Sequence, residues 1–159
     1  IPVSAAVIQY SIPAHCLFAL VGCIGFSILF NIHGPGGLLC ALGGVLSWAT
    51  YLIALRLGCS DLTAYFLAGL FSAAYAETMA RIRKCPAIAY LVIAIFPLIP
   101  GAGVYYTMNH AVHGDMSAFA NQGIYTASIA GIMAVGILLS STVFRIWSNF
   151  RNTRNKTSG

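Results

Sequence analysis

The residues of this sequence that could do chemistry are concentrated in one apolar stretch, "FPLIPGAGVYY", which two prolines and two glycines interrupt. Pro97, Pro100, Gly101 and Gly103 lie within seven residues of one another. Proline has no amide hydrogen, so each proline removes one hydrogen bond from a helix, and each glycine relaxes the backbone further. We therefore expect two half-helices here, one over 87–95 and one that begins near Gly101.

The start of the second half-helix is a predicted binding site for a small carboxylate. The first amides of a helix have no acceptor within it and carry partial positive charge, which favours an anion. The carbonyls freed just before the break suit a cation or an ammonium group. A zwitterionic amino acid or a small carboxylate fits both ends, as in secondary transporters with discontinuous helices. A kink that only shapes packing is the alternative.

Polar and aromatic residues follow the break directly. Tyr105 and Tyr106 lie within one turn of it, and Asn109 lies one turn past Tyr105. A tyrosine belt at the membrane interface accounts for these residues equally well. The predicted substrate contacts are Pro97, Pro100, Gly101, Gly103, Tyr105, Tyr106 and Asn109.

Three titratable side chains are candidates for proton coupling, namely Glu77, His110 and Asp115. Glu77 is the only acid within an apolar segment, but it precedes Arg81 by four residues, so a helical ion pair is the alternative. His110, His113 and Asp115 have a spacing that occurs in metal sites. Because no further ligands are visible, we predict an exposed loop there without metal or cofactor, and we keep a proton-relay role for His110 or Asp115.

The composition predicts the elements that must position these residues. The chain has 159 residues, of which 59% are hydrophobic and 7% are charged, a balance typical of an integral membrane protein. Lipid offers no partner for bare backbone groups, and no segment alternates as barrel strands do. We therefore predict one all-α membrane domain over 1–159, a bundle of five transmembrane helices with the fourth broken at the Pro-x-x-Pro-Gly segment. The predicted spans are 12–30, 38–57, 62–80, 87–108 and 124–146.

Basic residues predict the orientation. They cluster in "RIRKCP" after the third segment and in the tail 147–159 after the fifth, and basic residues that flank spans stay cytoplasmic. This places the N-terminus and the polar segment 109–123 outside, and the C-terminus inside the cell's inner (plasma) membrane. The net charge of +5 is then explained by anionic lipid headgroups, and we expect no nucleic-acid partner.

Small residues predict the helix seams. In the fifth segment Gly123, Ala127 and Gly131 form one ridge, and Thr126, Ala130 and Ala134 form a second beside it. Small ridges let membrane helices approach closely, within one chain or against a second protein. The second and third segments carry a similar set: Gly43, Gly44, Ala68, Gly69, Ser72 and Ala73.

With these residues in view, the chain resembles the threonine/serine exporter family, specifically its C-terminal membrane module. That module also occurs as the small subunit of two-component exporters of amino acids or of dicarboxylates such as succinate. The resemblance rests on "RIRKCP", on "PLIPGAGVYYTM" about ten residues later, on the polar loop, and on the glycine-rich last span with its basic tail. It covers most of residues 34–150 and implies proton-driven export of small amino or carboxylic acids.

Position by position, the resemblance carries the family motif onto Pro97, Pro100, Gly101 and Gly103, and less closely onto the tyrosines that follow. Fused family members also have an N-terminal half with its own spans, to which nothing here corresponds. The resemblance therefore implies a partner, either a second membrane subunit that supplies the other half or another copy of this chain.

Two functions remain open from the sequence. The first is a transporter subunit that exports threonine- or serine-like amino acids or small carboxylates. The second is a non-transporting membrane scaffold or assembly subunit, in which the breaks only shape packing. An enzyme is not expected, because no nucleophile with a base, no pair of acids and no metal cluster emerges from the sequence.

Overall fold

The computed structural model describes residues 12–32 and 34–157. The segment before the first predicted span, which we expected outside the membrane, lies beyond the described residues. The described part contains six α-helices, one 3-10 turn over Phe96–Leu98 and no strand, as expected of an all-α protein. The helices are α1 (Ile12–Leu29), α2 (Pro35–Arg56), α3 (Asp61–Arg83), α4 (Ala87–Ile95), α5 (Gly101–Val112) and α6 (Met116–Thr157).

Local sequence signals determine where the helices begin and end. Pro35 opens α2 directly after Gly34, whose positive φ of 72° turns the chain. The Ser60 hydroxyl caps α3 by accepting the Thr63 amide at 3.3 Å. At the other end of α3, Lys84 adopts the left-handed conformation that commonly terminates a helix.

Length and apolar composition identify the helices able to cross a membrane. Pro35–Arg56 and Met116–Ser148 qualify singly, and Ala87–Leu98 with Gly101–Val112 qualify as a bent pair. Pro13–Leu29 is apolar but shorter than these. The described residues therefore contain two candidate spans, or three if the bent pair counts as one.

The polar segment 109–123, expected to be an exposed loop, is largely helical, so the expectation of a loop was wrong. Only three residues separate α5 from α6, and Gly114 turns the chain there with a φ of 75°. Asp115 then caps α6, since its carboxylate accepts the Ala118 amide at 3.0 Å. The cap starts α6 eight residues before the predicted span. The C-terminal tail also continues this helix as far as Thr157.

Three glycines allow the helices to approach closely. A Cβ on Gly69 of α3 would lie 2.9 Å from the Met133 carbonyl oxygen of α6. In return, a Cβ on Gly136 would lie 2.7 Å from the Phe66 carbonyl oxygen of α3. Gly44 of α2 faces the Cys23 thiol of α1 in the same way. The small residues predicted to pack in α2 and α3 are accordingly all buried.

The buried face of α6 is not the predicted ridge. Ala127 and Gly131 are exposed, and a Cβ on Gly131 would meet nothing within 4 Å. Ala130 and Ala134 of the second predicted ridge are exposed as well, although Thr126 is buried. The buried positions recur at alternating intervals of three and four, which is the period of a helix seam: Thr126, Ile129, Met133, Gly136 and Ser140.

Candidate functional site

The proline-glycine segment separates α4 from α5 by a short irregular stretch. α4 ends at Ile95, the 3-10 turn follows, and Ile99 is extended, with φ −61° and ψ 123°. α5 begins at Gly101, and the two helical parts are bent by 56°. Leu98 is fully buried against the cluster around Tyr51, so packing holds the turn in place.

The carbonyls that the prolines leave without their usual donors find other partners. The Ile93 carbonyl accepts the Phe96 amide and lies 3.7 Å from the Cys23 thiol. The Phe96 carbonyl accepts the Ile99 amide at 3.3 Å. Both carbonyls therefore already have a backbone donor from the 3-10 turn, and the Cys23 thiol of α1 lies beside the Ile93 carbonyl.

The amides after the break are only partly used. The Gly101 amide donates to the Ile99 carbonyl at 2.7 Å, and the first bond within α5 runs from the Val104 amide to the Pro100 carbonyl at 3.1 Å. The amides of Ala102 and Gly103 come before that bond and have no acceptor within α5. Two backbone donors therefore remain at this helix start.

A cavity of about 150 Å³ opens beside the break. Its walls come from α2, α3 and α6 as well as from the break itself, so four parts of the chain converge on it. The predicted residues Pro97, Pro100, Gly101 and Gly103 all line it. The other lining residues are Trp48, Asp61, Tyr65, Ile99, Ala102, Gln122, Tyr125, Thr126 and Ile129.

Gly103 lines the cavity at the point where α5 packs against Thr126 of α6. A Cβ at Gly103 would lie 2.6 Å from the Thr126 hydroxyl oxygen and 3.1 Å from its methyl group. Thr126 is buried and donates its hydroxyl to the Gln122 carbonyl at 2.8 Å, so it is held in position. Only glycine fits here without displacing α5 from α6.

Asp61 lines the cavity but was not predicted from the sequence as a site residue. Its carboxylate accepts the Tyr51 hydroxyl of α2 at 2.7 Å and also the Tyr125 hydroxyl of α6. The Tyr51 ring packs between those of Trp48 and Tyr65, at centroid distances of 5.1 and 4.6 Å. Asp61 and Tyr65 are one helical turn apart, so they lie on the same face of α3. This spacing is the sequence signal that could have identified the cavity-lining face of α3.

The remaining predicted substrate contacts do not reach the cavity. Tyr105 and Tyr106 are 66% and 49% exposed, and their rings pack edge to face against each other at 5.5 Å. Asn109 is exposed, one turn further along α5. The structure brings together the residues of the break, but not the residues that follow it.

The three residues predicted for proton coupling are also separate from the cavity. Glu77 lies 3.8 Å from Arg81 in the helical ion pair that was its alternative. Asp115 lies at the exposed start of α6, where the Ala118 amide, then the Ser117 hydroxyl, and to a smaller extent the nearby His110 lower the pKa of its carboxyl group. His110 lies at the end of α5, so none of the three lines the cavity.

Larger cavities lie elsewhere: one of about 180 Å³ lies beside Ser27 and Gly34, and two of about 240 Å³ each have almost wholly apolar walls. Of these two, one lies between α3 and α6 beside Arg81 and Trp147, and the other lies between Phe30 and Ile88. The cavity at the break differs from these because Asp61, Gln122 and the first residues of α5 line it together.

The chain matches a model of a known protein family. The family model described as "Threonine/Serine exporter, ThrE" matches residues 15–143, which include every helix of the bundle in whole or in part. No curated protein matches the chain. No solved structure matches it.

Proposed function

Because the chain belongs to the threonine/serine exporter family, we propose that it is a membrane transporter subunit that exports small amino acids or small carboxylates, driven by the proton gradient. Its membrane location and its place in amino-acid export follow from the family and from its apolar helices. The substrate, the driving force and the role as one subunit of a larger exporter are parts of the proposal.

The cavity at the break is the observation that carries this proposal. Threonine, serine and succinate share a carboxylate group, and the free amides of Ala102 and Gly103 offer what that group binds best at a helix start. The cavity volume of about 150 Å³ lies well below the roughly 300–1,000 Å³ of sites for drug-sized ligands, so a small solute suits it. Pro97, Pro100, Gly101 and Gly103 then form the substrate site.

We further propose that α4 and α5 cross the membrane as one broken span, with α1, α2, α3 and α6 as the other four. Two contacts at opposite ends of α3 support the orientation. Near its C-terminal end, Arg81 donates to the Phe144 carbonyl at 2.9 Å, which brings the basic loop beside the basic end of α6. At its N-terminal end, Asp61 meets Tyr125. The basic end is cytoplasmic in this arrangement, and the cavity lies towards the outer side.

A partner subunit, or a second copy of the chain, completes the exporter in this proposal. The exposed small residues of α6, Ala127 and Gly131 among them, have no packing partner among the described residues. Faces of this kind allow close helix contact in membranes, where lipid provides no hydrophobic drive for association.

The test replaces the break while leaving the rest of the bundle unchanged. Pro100→Ala with Gly101→Ala restores an amide donor and helix propensity, and a Cβ at Gly101 would meet nothing within 4 Å. Export of labelled threonine, serine and succinate should fall to the level of vesicles that lack the chain. Pro86→Ala is the matched control, because Pro86 precedes α4 on the exposed surface and should leave export unchanged.

Membrane insertion of each variant is measured alongside export. Unchanged export in the double variant would contradict a substrate site at the break. If export persists while capture of a membrane partner is lost, the scaffold function is favoured instead.

A further inference from the structure

The sequence contains three acidic residues, and the structure places them in three different surroundings. Glu77 is in an ion pair with Arg81, and Asp115 caps α6 at the exposed surface. Asp61 lines the cavity at the break. A proton-driven carrier needs a titratable group in contact with its substrate pathway, and an acid in the membrane domain is the usual one.

The Asp61 carboxylate joins three helices. Tyr51 of α2 donates to one oxygen, Tyr125 of α6 donates to the other, and Asp61 itself begins α3. Tyr65, one turn further along α3, completes the ring of titratable groups that face it. Among the described residues the only ion pair is the one between Glu77 and Arg81, so Asp61 makes no direct ion pair with a described side chain.

The protonation state of the Asp61 carboxylate determines which hydrogen bonds it can make with the two tyrosines. An ionised carboxylate accepts at both oxygens, as Asp61 does here, whereas a protonated one carries an O–H group that must donate. When one proton is added to Asp61, the tyrosine hydroxyl facing the protonated oxygen must turn to accept the new O–H group, and a bond to an ionised acceptor becomes a bond between neutral groups, which is about half as strong. The link between α3 and either α2 or α6 therefore weakens at the cavity.

We propose that Asp61 is the residue that takes up and releases the coupling proton, and that its protonation loosens the tyrosine links beside the substrate cavity. This role rests on the proposed transport function. It assigns the proton to a residue at the cavity wall, in place of the three sequence candidates.

The first test uses Asp61→Asn, which keeps the size of the side chain but cannot take up a proton. Native membrane vesicles of the source organism, with the endogenous copy deleted and the variant restored, contain any partner that the chain needs. Two readouts are compared: accumulation of labelled threonine driven by a proton gradient, and exchange of labelled for unlabelled threonine without a gradient. We expect accumulation to fall to background and exchange to persist.

Tyr75→Phe is the matched control. The Tyr75 hydroxyl donates to the Leu39 carbonyl at 2.7 Å, so its loss removes a tyrosine bond between α3 and α2 that lies away from the cavity. This variant should keep both accumulation and exchange. Tyr125→Phe, which removes one of the two links to Asp61, should instead alter the pH dependence of accumulation.

A second measurement does not depend on transport. Infrared difference spectra of the purified chain between neutral and acidic pH should show the band of a protonated carboxyl group, and the Asp61 contribution to it should vanish in Asp61→Asn. The Asp115→Asn spectrum identifies the contribution of the exposed acid.

The outcomes separate the two proposals. Normal accumulation in Asp61→Asn, or loss of exchange together with accumulation in a correctly inserted variant, overturns the assignment of the proton to Asp61. If wild-type vesicles neither accumulate nor exchange threonine, serine or succinate, the transport function fails. The infrared band then decides the remaining question, because a difference spectrum unchanged in Asp61→Asn shows that Asp61 takes up no proton.

Discussion

Two glycines on α6, five residues apart, provide a direct test of how this bundle packs. Replacing Gly136 with alanine places a Cβ 2.7 Å from the Phe66 carbonyl oxygen and 3.1 Å from the Leu70 amide nitrogen, both backbone atoms of α3. Ordinary contact begins at 3.4 Å, so α6 must move away from α3 by about 0.7 Å, the difference between 3.4 and 2.7 Å. Gly131→Ala makes the same chemical change where nothing lies within 4 Å.

The two variants should change the stability of the folded chain in different directions. Overpacking of this kind lowers the free energy of unfolding by about 1–3 kcal/mol. Replacing glycine with alanine in a helix raises it by up to about 1 kcal/mol. Since both variants receive the same helix contribution, the difference between them isolates the clash. We expect Gly136→Ala to be less stable than Gly131→Ala by about 1–3 kcal/mol, with Gly131→Ala equal to or above the wild type.

The assay is thermal unfolding in detergent, followed with a dye that fluoresces on reaction with free thiols. Cys23 and Cys40 are 1% and 0% exposed, so they react only when the bundle opens. Membrane insertion and monomer state are checked first for each variant. If Gly131→Ala destabilises the chain as much as Gly136→Ala does, the assigned buried face of α6 is wrong.

Two further predictions concern charged side chains outside the cavity. Glu77→Gln should change the unfolding free energy by no more than about 0.5 kcal/mol, because the ion pair with Arg81 is a partly exposed pair one turn apart; thermal unfolding checks this. The pKa of Asp115 is lowered in the folded chain, so its cap should protect the first turn of α6 fully above the unfolded aspartate pKa of about 3.9 and lose that protection as the pH falls through the lower folded value. Hydrogen exchange at the Ala118 amide measures it, and Asp115→Ala should lack the pH dependence.

The helices themselves were largely predictable, because apolar runs of span length have few other solutions in lipid. The predicted break over Pro97 to Gly103 corresponds to a change of direction between two helices, since proline cannot supply the missing donors. The extension of α6 back to Met116 was missed because the segment is polar. A capping aspartate after a glycine, as in Gly114 and Asp115, is the signal that should have outweighed that polarity.

The residues that line the candidate site were only partly predictable. Residues adjacent in sequence, such as Pro100 and Gly103, reach the cavity together because they share one turn of chain. Asp61 and Tyr125 are 64 positions apart and meet only through the packing of α3 on α6, which no local pattern specifies. The face of α6 that packs on α3 was not identified for a related reason, since small residues recur on two faces and only the facing helix selects one.

The length of α6 has a consequence for how the chain can move. Its 42 residues extend about 63 Å at 1.5 Å per residue, roughly twice the hydrocarbon thickness of about 30 Å. Two hydrogen bonds join it to α3 near both ends of α3: Tyr125 donates to Asp61, and Arg81 donates to the Phe144 carbonyl. These two contacts are far apart along the helices, so together they oppose sliding and rotation of α6 against α3. While the bond between Asp61 and Tyr125 holds, α3 and α6 form one unit, and in the proposed transporter a change of shape around the cavity would fall to the elbow at Ile99 and Pro100.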